Sequence, residues 1–151
     1  MDTVFIRDLQ INDLDKVMEI ENLCFVAPWK LEDIKRELLD NKFANLLVAE
    51  VNNVVVGYVD FWITFESATI CQIAVHPAYQ RQSIGSKLLK EVFKECFAKK
   101  VSTMTLEVRE SNVKGINFYM KHGFKHCLTK ENYYSNGEDA LYMIREVAIN
   151  G

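Results

Sequence analysis

The fold of this chain is decided by Cys71-Gln72-Ile73-Ala74-Val75 and, a few residues later, by Gln80-Arg81-Gln82-Ser83-Ile84-Gly85-Ser86. The first run is apolar and predicts a strand, which His76-Pro77 ends because proline lacks an amide donor. The second run opens a helix, as the apolar spacing from Ile84 to Phe97 indicates. A helix that starts directly after a strand offers unpaired N–H groups at the positive end of its dipole. The junction therefore predicts an anion site, and Arg81 adds a positive charge to it.

The rest of the chain predicts alternating strands and helices in one domain over residues 1–151. Strands are expected at 4–7, 44–51, 54–64, 68–75, 103–108, 124–129 and 140–147, and helices after Asn12, after Pro28-Trp29, at 84–97 and after Ser111 or Asn112. Asn52-Asn53 separates two apolar runs and favours a hairpin, since asparagine tolerates positive φ. Gly123 after Lys121 and His122 marks a helix end. This pattern predicts a mixed α+β sheet with helices on its faces.

Composition narrows the classes of function. The chain has 151 residues, of which 49% are hydrophobic and 26% charged, as in ordinary globular proteins. Its formal net charge of −3 gives no basic surface for a phosphate backbone, so we expect no direct nucleic-acid binding. The sequence has neither a signal-peptide pattern nor an apolar run long enough for a membrane span. We therefore expect a cytoplasmic protein without a membrane partner.

Cysteines and histidines do not form a metal-binding pattern. Four cysteines are spread along the chain without a C-x-x-C pair: Cys24, Cys71, Cys96 and Cys127. We expect them to be free thiols. His122 and His126 are four residues apart, but Gly123 should end the helix between them, so they would not share one face. The sequence therefore predicts no metal site.

The loop from Gln80 to Ser86 and the strand before it resemble the acyl-CoA pyrophosphate loop of the GNAT superfamily of N-acetyltransferases, usually written Q/R-x-x-G-x-G/A. The resemblance implies a three-layer α/β/α fold around a mixed, mostly antiparallel sheet, whose splayed central strands admit acetyl-CoA. It also implies a set of cofactor contacts. The pantetheine arm would lie on Ile73, Ala74 and Val75, and the pyrophosphate on Arg81, Gln82, Ser83, Ile84, Gly85 and Ser86.

Ser83 stands where the family has its first glycine. If the backbone needs a positive φ there, serine carries a steric cost that glycine avoids, although its hydroxyl could hydrogen bond a phosphate. We therefore predict that Ser83→Gly retains or tightens acetyl-CoA binding.

Further motifs follow the loop in order. They are Leu106-Glu107-Val108-Arg109-Glu110-Ser111-Asn112, Ile116-Asn117-Phe118-Tyr119, Asn132-Tyr133-Tyr134 and Glu138-Asp139-Ala140. With them the chain is similar, from about Val4 to Met143, to the GNAT enzymes that acetylate the N-terminal alanine of a bacterial small-subunit ribosomal protein. The resemblance implies Glu107 as proton acceptor and Tyr119 as proton donor. It implies Asn112 as a cofactor contact, and Trp29 and Tyr133 as contacts of the acceptor peptide.

The chemistry of acetyl transfer independently requires such groups, because an ammonium cannot attack a thioester until it loses a proton. A terminal α-amine is already ~10% neutral at pH 7, whereas a lysine side chain is only ~0.04% neutral. The α-amine is thus the easier nucleophile. No cysteine lies in an evident nucleophile motif, which favours direct attack over an acyl-enzyme.

Two other functions remain open at this stage. A GNAT enzyme could instead acetylate a lysine, a polyamine or another small amine, because acceptor choice depends on variable loops. A chain that kept the loop but lost the chemistry would be a non-catalytic acyl-CoA sensor, against which Glu107 and Tyr119 argue.

Overall fold

The computed structural model describes residues 3–80 and 82–147. The strands are β1 (Val4–Asp8), β2 (Ala44–Val51), β3 (Val54–Thr64), β4 (Ser67–Val75), β5 (Thr103–Arg109), β6 (Lys125–Lys130) and β7 (Ala140–Glu146). The helices are α1 (Leu14–Cys24), α2 (Leu31–Leu39), α3 (Ile84–Ala98) and α4 (Val113–Lys121), with short 3₁₀ turns at Ile11–Asp13 and Pro77–Tyr79. The predicted elements are confirmed, with ends that shift by one or two residues.

The strands form one seven-stranded sheet in the order β1-β2-β3-β4-β5-β7-β6. Neighbouring strands are antiparallel except β4 and β5, which run parallel. The sheet is therefore mixed and mostly antiparallel, as predicted.

The two parallel strands pair over only part of their length. Their register runs from Ser67↔Thr103 to Ile70↔Leu106. Beyond that point β4 stays paired with β3 as far as Val75, and β5 stays paired with β7 as far as Arg109. The ends of β4 and β5 thus diverge, which confirms the splayed central strands and opens a cleft between them.

Helices cover both faces of the sheet. Fully buried side chains of α3, among them Leu88, Leu89 and Val92, pack into one apolar cluster on the first face. On the other face α1 and α2 contribute Val17, Ile20 and Ile34 to a second cluster. Burying each such side chain stabilises the fold by about 1.5–3 kcal/mol. The arrangement is the three-layer α/β/α fold that was predicted.

Local backbone signals explain the turns. Asn52 and Asn53 have φ of 51° and 66°, which confirms the predicted hairpin between β2 and β3. Gly123 has φ of +92°, where any other residue would be strained, and a Cβ there would lie 2.7 Å from Nε of Arg145. Asn112 caps α4 by accepting a hydrogen bond from the Gly115 amide at 2.9 Å.

One detail of α1 and one of α3 differ from the prediction. Helix α1 begins at Leu14, after a 3₁₀ turn, so Asn12 is not its cap; Asp13 instead accepts hydrogen bonds from the Gln10 amide and the Arg7 guanidinium. Glu21, within α1, is fully buried. Phe97, the last residue of the apolar spacing that predicted α3, is 49% exposed.

Candidate active site

The cleft between the diverging ends of β4 and β5 contains a cavity of about 740 Å³. Its walls come from both strands, from the segment between α1 and α2, from α4 and from the loop between β6 and β7. Five of the residues predicted from the sequence line it: Trp29, Glu107, Asn112, Tyr119 and Tyr133. Elements distant in sequence thus bring the predicted proton acceptor, proton donor and acceptor contacts to one cavity.

The residues predicted to contact the pantetheine arm and the pyrophosphate lie further along β4 and at the start of α3. They are not among the residues that line the cavity. Ile73, Ala74 and Val75 form the end of β4, and their neighbours on β3 lie on the side away from the cleft. Gln82 and Ser83 directly precede α3, residues 84–86 form its first turn, and Arg81 lies outside the described residues. The first amides of α3 have no partner within the helix and can face an anion.

Ser83 has φ of 62° and ψ of 21°, the left-handed conformation that a glycine adopts without strain. It occupies the position before the first turn of α3 and its side chain makes no capping hydrogen bond. A Cβ at Gly85 would lie 3.3 Å from the Phe118 ring, so the small residue lets α4 approach the start of α3 closely. Ser86 is hydrogen bonded to His122 at 2.9 Å and thereby also links α3 to α4.

Tyr119 extends from α4 between two aromatic rings. Its ring centroid lies 5.4 Å from that of Phe118 and 5.8 Å from that of Phe124, both in edge-to-face geometry. The surrounding protein desolvates the phenol, which raises its pKa well above the ordinary value. Tyr119 therefore keeps its proton at neutral pH and can donate it to a leaving group.

Glu107 lies on β5 directly after Leu106, the last residue of that strand that pairs with β4. Its carboxylate accepts a hydrogen bond from the Tyr133 hydroxyl at 2.9 Å and forms an ion pair with the Lys130 ammonium. Its side chain is 28% exposed, so solvent and ligands reach it. The sequence did not indicate Lys130, which lies 23 residues away from its partner.

Glu21 is a buried carboxylate that sequence reasoning missed. It accepts hydrogen bonds from the Tyr58 hydroxyl, from Gln72 Nε2 at 2.8 Å and from the Trp29 amide at 2.9 Å. Desolvation and this neighbouring carboxylate raise the pKa of Tyr58. Glu21 thus fastens the segment before α2, including Trp29, to β3 and β4. An acidic residue on the apolar stripe of α1 was the available signal.

Asp60 is fully buried on β3, and its two carboxyl oxygens have no hydrogen-bond donor among the described side chains. Burial and the facing Glu37 carboxylate raise the pKa of Asp60 to about 9. Glu37 itself accepts hydrogen bonds from Asn41 at 2.9 Å and from the Trp62 indole. Asp60 is therefore neutral at pH 7, beside a Glu37 carboxyl whose pKa is lowered.

A third potential metal ligand lies beside Asp60 and Glu37, although the sequence predicted no metal site. Ligand atoms of Glu37, Asp60 and Cys71 lie within 4.8 Å of one another. Burial raises the pKa of the Cys71 thiol above its usual range, so the sulfur stays protonated. A neutral Asp60 lowers the charge repulsion between the two carboxyl groups.

Residues 14–124 match the model of the acetyltransferase (GNAT) family. The chain belongs to this family. It is 38% identical over 139 residues to a Bacillus subtilis (strain 168) protein named as a candidate [ribosomal protein bS18]-alanine N-acetyltransferase, with 91% of this chain and 92% of the relative covered. It is 30% identical over 147 residues to the Escherichia coli (strain K12) [ribosomal protein bS18]-alanine N-acetyltransferase, with coverage of 95% and 98%.

Comparison of folds agrees with the family. The crystal structure of the Escherichia coli ribosomal-protein-S18-alanine N-acetyltransferase superposes with a TM-score of 0.88 at 29% identity, and covers 99% of this chain and 97% of that one. The described helices of this GNAT acetyltransferase include none that is long and apolar enough to cross a membrane.

Proposed function

We propose that this GNAT acetyltransferase transfers the acetyl group of acetyl-CoA to the N-terminal α-amine of a protein. The candidate acceptor is the N-terminal alanine of a small-subunit ribosomal protein, met in the cytoplasm. The observation that carries the proposal is the convergence of Glu107 and Tyr119 on one cavity, at the point where β4 and β5 separate. The names of the two bacterial relatives, similar over nine-tenths of the chain, support the choice of acceptor.

The proposed cofactor site follows the cleft. The pantetheine arm would pair with the free edge of β4 at Ile73, Ala74 and Val75, and Asn112 would contact it from the start of α4. The pyrophosphate would lie on the amides of residues 82–86, with Arg81 as a nearby charge. Support comes from the left-handed backbone of Ser83, which adopts the conformation that a glycine of the family motif would supply.

The proposed reaction begins when Glu107 accepts a proton from the acceptor's ammonium, directly or through an ordered water. The neutral amine then attacks the thioester carbon, forming the C–N bond. The tetrahedral nitrogen then loses a second proton to solvent, and the C–S bond breaks as the tetrahedral species collapses. The sulfur receives the proton of Tyr119, and the enzyme is restored when Glu107 releases its proton and the Tyr119 phenolate takes one up from solvent. Support comes from the position of Tyr119, whose phenol is protonated at neutral pH and lines the same cavity as Glu107.

The acceptor groove is proposed to lie between Trp29 and Tyr133. Both side chains line the cavity together with Glu107, and Tyr133 is 49% exposed. Residues 1–151 would then act as one catalytic domain.

A peptide comparison tests the proposal. One peptide begins with a free alanine, and its twin has a blocked N-terminus and an internal lysine. Acetylation of the first peptide alone is expected. Turnover of only the blocked twin would assign the enzyme to lysine or another amine instead. Tight acetyl-CoA binding without acetylation of any amine, unchanged by Glu107→Gln, would identify a non-catalytic sensor.

A cellular measurement identifies the acceptor. Mass spectrometry of ribosomal-protein N-termini, with and without the chain, should show one small-subunit protein that loses its acetyl group when the chain is absent. Unchanged N-termini across all ribosomal proteins would contradict the proposed acceptor.

A further inference from the structure

Both oxygens of the Glu107 carboxylate already carry a donor from one short segment of the chain. The Tyr133 hydroxyl binds Oε1 at 2.9 Å, and the Lys130 ammonium binds Oε2. Lys130 is the last residue of β6, and Tyr133 follows three residues later in the loop that leads to β7. An incoming acceptor therefore meets a carboxylate whose charge is already neutralised.

The Lys130 ammonium has two further contacts besides the Glu107 carboxylate. It lies 5.3 Å from the ring centroid of Tyr133 and 5.1 Å from that of Tyr142, which faces Glu107 across the β5–β7 ladder. Such cation–π contacts favour a charged ammonium at this point. The hydrogen bond to Glu107 raises the pKa of Lys130, so the side chain is cationic at neutral pH.

An acceptor that enters this cavity also arrives mainly as an ammonium, because a free α-amine has a pKa of roughly 7.8. It presents N–H donors and a positive charge to Glu107, as Lys130 does. Two ammonium groups at one carboxylate repel each other, so they compete for the same oxygen. We propose that Lys130 is a placeholder for the acceptor's ammonium, which neutralises Glu107 in the empty enzyme and leaves Oε2 when an acceptor binds. This inference rests on the proposed function.

The structure allows Lys130 to leave without moving the rest of the loop. Its side chain is 39% exposed, and its flexible stem gives the ammonium a path to solvent. The loop has its own anchor, because Arg109 forms an ion pair with Glu138 at 2.9 Å and its guanidinium lies 3.9 Å from the Tyr134 ring centroid. Tyr133 can therefore stay in the groove while Lys130 is displaced.

A placeholder acts on acceptor affinity, not on the chemical step. It competes only in the enzyme without acceptor, so its removal lowers the acceptor KM and leaves the KM for acetyl-CoA unchanged. A partly exposed ion pair contributes little, which sets the expected gain at about 2- to 5-fold. Lys130 is thus a positioning residue that sets how readily the site admits a cationic amine.

Three variants and two measurements test the placeholder. Lys130→Met removes the charge but keeps an unbranched apolar stem over the tyrosine rings, and Lys130→Arg keeps the charge. Lys125→Met is the matched control, because Lys125 is exposed at the other end of β6. The first measurement is calorimetric binding of alaninamide, which carries a free α-ammonium, to the complex with CoA. The second is the KM of a peptide with an N-terminal alanine.

Lys130→Met should bind alaninamide about 2- to 5-fold more tightly than the wild type and lower the peptide KM by the same factor. Lys130→Arg and Lys125→Met should match the wild type. Equal or weaker binding by Lys130→Met, or an equal gain in Lys125→Met, would overturn the placeholder. Tighter alaninamide binding without acetylation of any peptide would instead leave the placeholder standing and refute the proposed function.

Discussion

Replacing Asp60 with asparagine should stabilise the protein increasingly as the pH rises. In the folded state Asp60 is buried beside Glu37, and its pKa is raised from 3.8 to about 9. The unfolded chain releases that proton above about pH 4, whereas the folded chain keeps it. A raised folded-state pKa therefore makes the wild type lose stability between about pH 4 and pH 9.

The size of the effect follows from proton linkage. Within that window the folded state binds one more proton than the unfolded chain at this site, which costs ~1.4 kcal/mol per pH unit. The amide of the substituted side chain would donate an N–H to Glu37 without taking up a proton. The difference in unfolding free energy between Asp60→Asn and the wild type should therefore grow by ~3 kcal/mol from about pH 6 to pH 8.

Urea denaturation measured at several pH values between about 5.5 and 8.5 gives this difference directly. Desolvation raises the pKa of Glu37, but its hydrogen bonds outweigh this effect and lower the pKa overall. Measurements above about pH 5.5 therefore do not include the titration of Glu37. Asp40→Asn is the control, because Asp40 is exposed at the end of α2 and its replacement should shift the free energy by a constant. A pH-independent difference for Asp60→Asn would refute the raised pKa of Asp60 in the folded protein.

Three further predictions concern the site and its support. Ser83→Gly should retain or tighten acetyl-CoA binding, since glycine adopts a φ of 62° without strain; tenfold weaker binding by calorimetry would reject this account of the loop. Tyr119→Phe keeps the ring packing and should lower turnover on the order of 10²- to 10⁴-fold with a modest change in cofactor affinity, so unchanged turnover would exclude the proposed acid. Glu21→Ala leaves three donors without an acceptor and should destabilise the fold by about 3–5 kcal/mol in urea, whereas a loss as small as that of Tyr58→Phe would contradict its role as an anchor.

The candidate site was partly predictable from the sequence. The motifs that resemble the family identified Glu107, Tyr119, Asn112, Trp29 and Tyr133, and the structure brings these five residues to one cavity. Their roles remain predictions. The partner of Glu107 was not predictable, because Lys130 lies 23 residues further along the chain, at the end of an edge strand whose other residues are exposed.

By itself the sequence determined the secondary structure, the β2–β3 hairpin at Asn52-Asn53 and the helix end at Gly123. These features depend on side-chain periodicity and on the φ that single residues tolerate, which are local properties. Only the tertiary structure decided where β4 and β5 diverge, how Glu21 anchors Trp29 and why Asp60 keeps a proton. Each of these depends on groups that come together only when the helices and strands pack. Burial and charge pairing act through space. A local sequence pattern therefore does not indicate which distant side chain will contact a given residue.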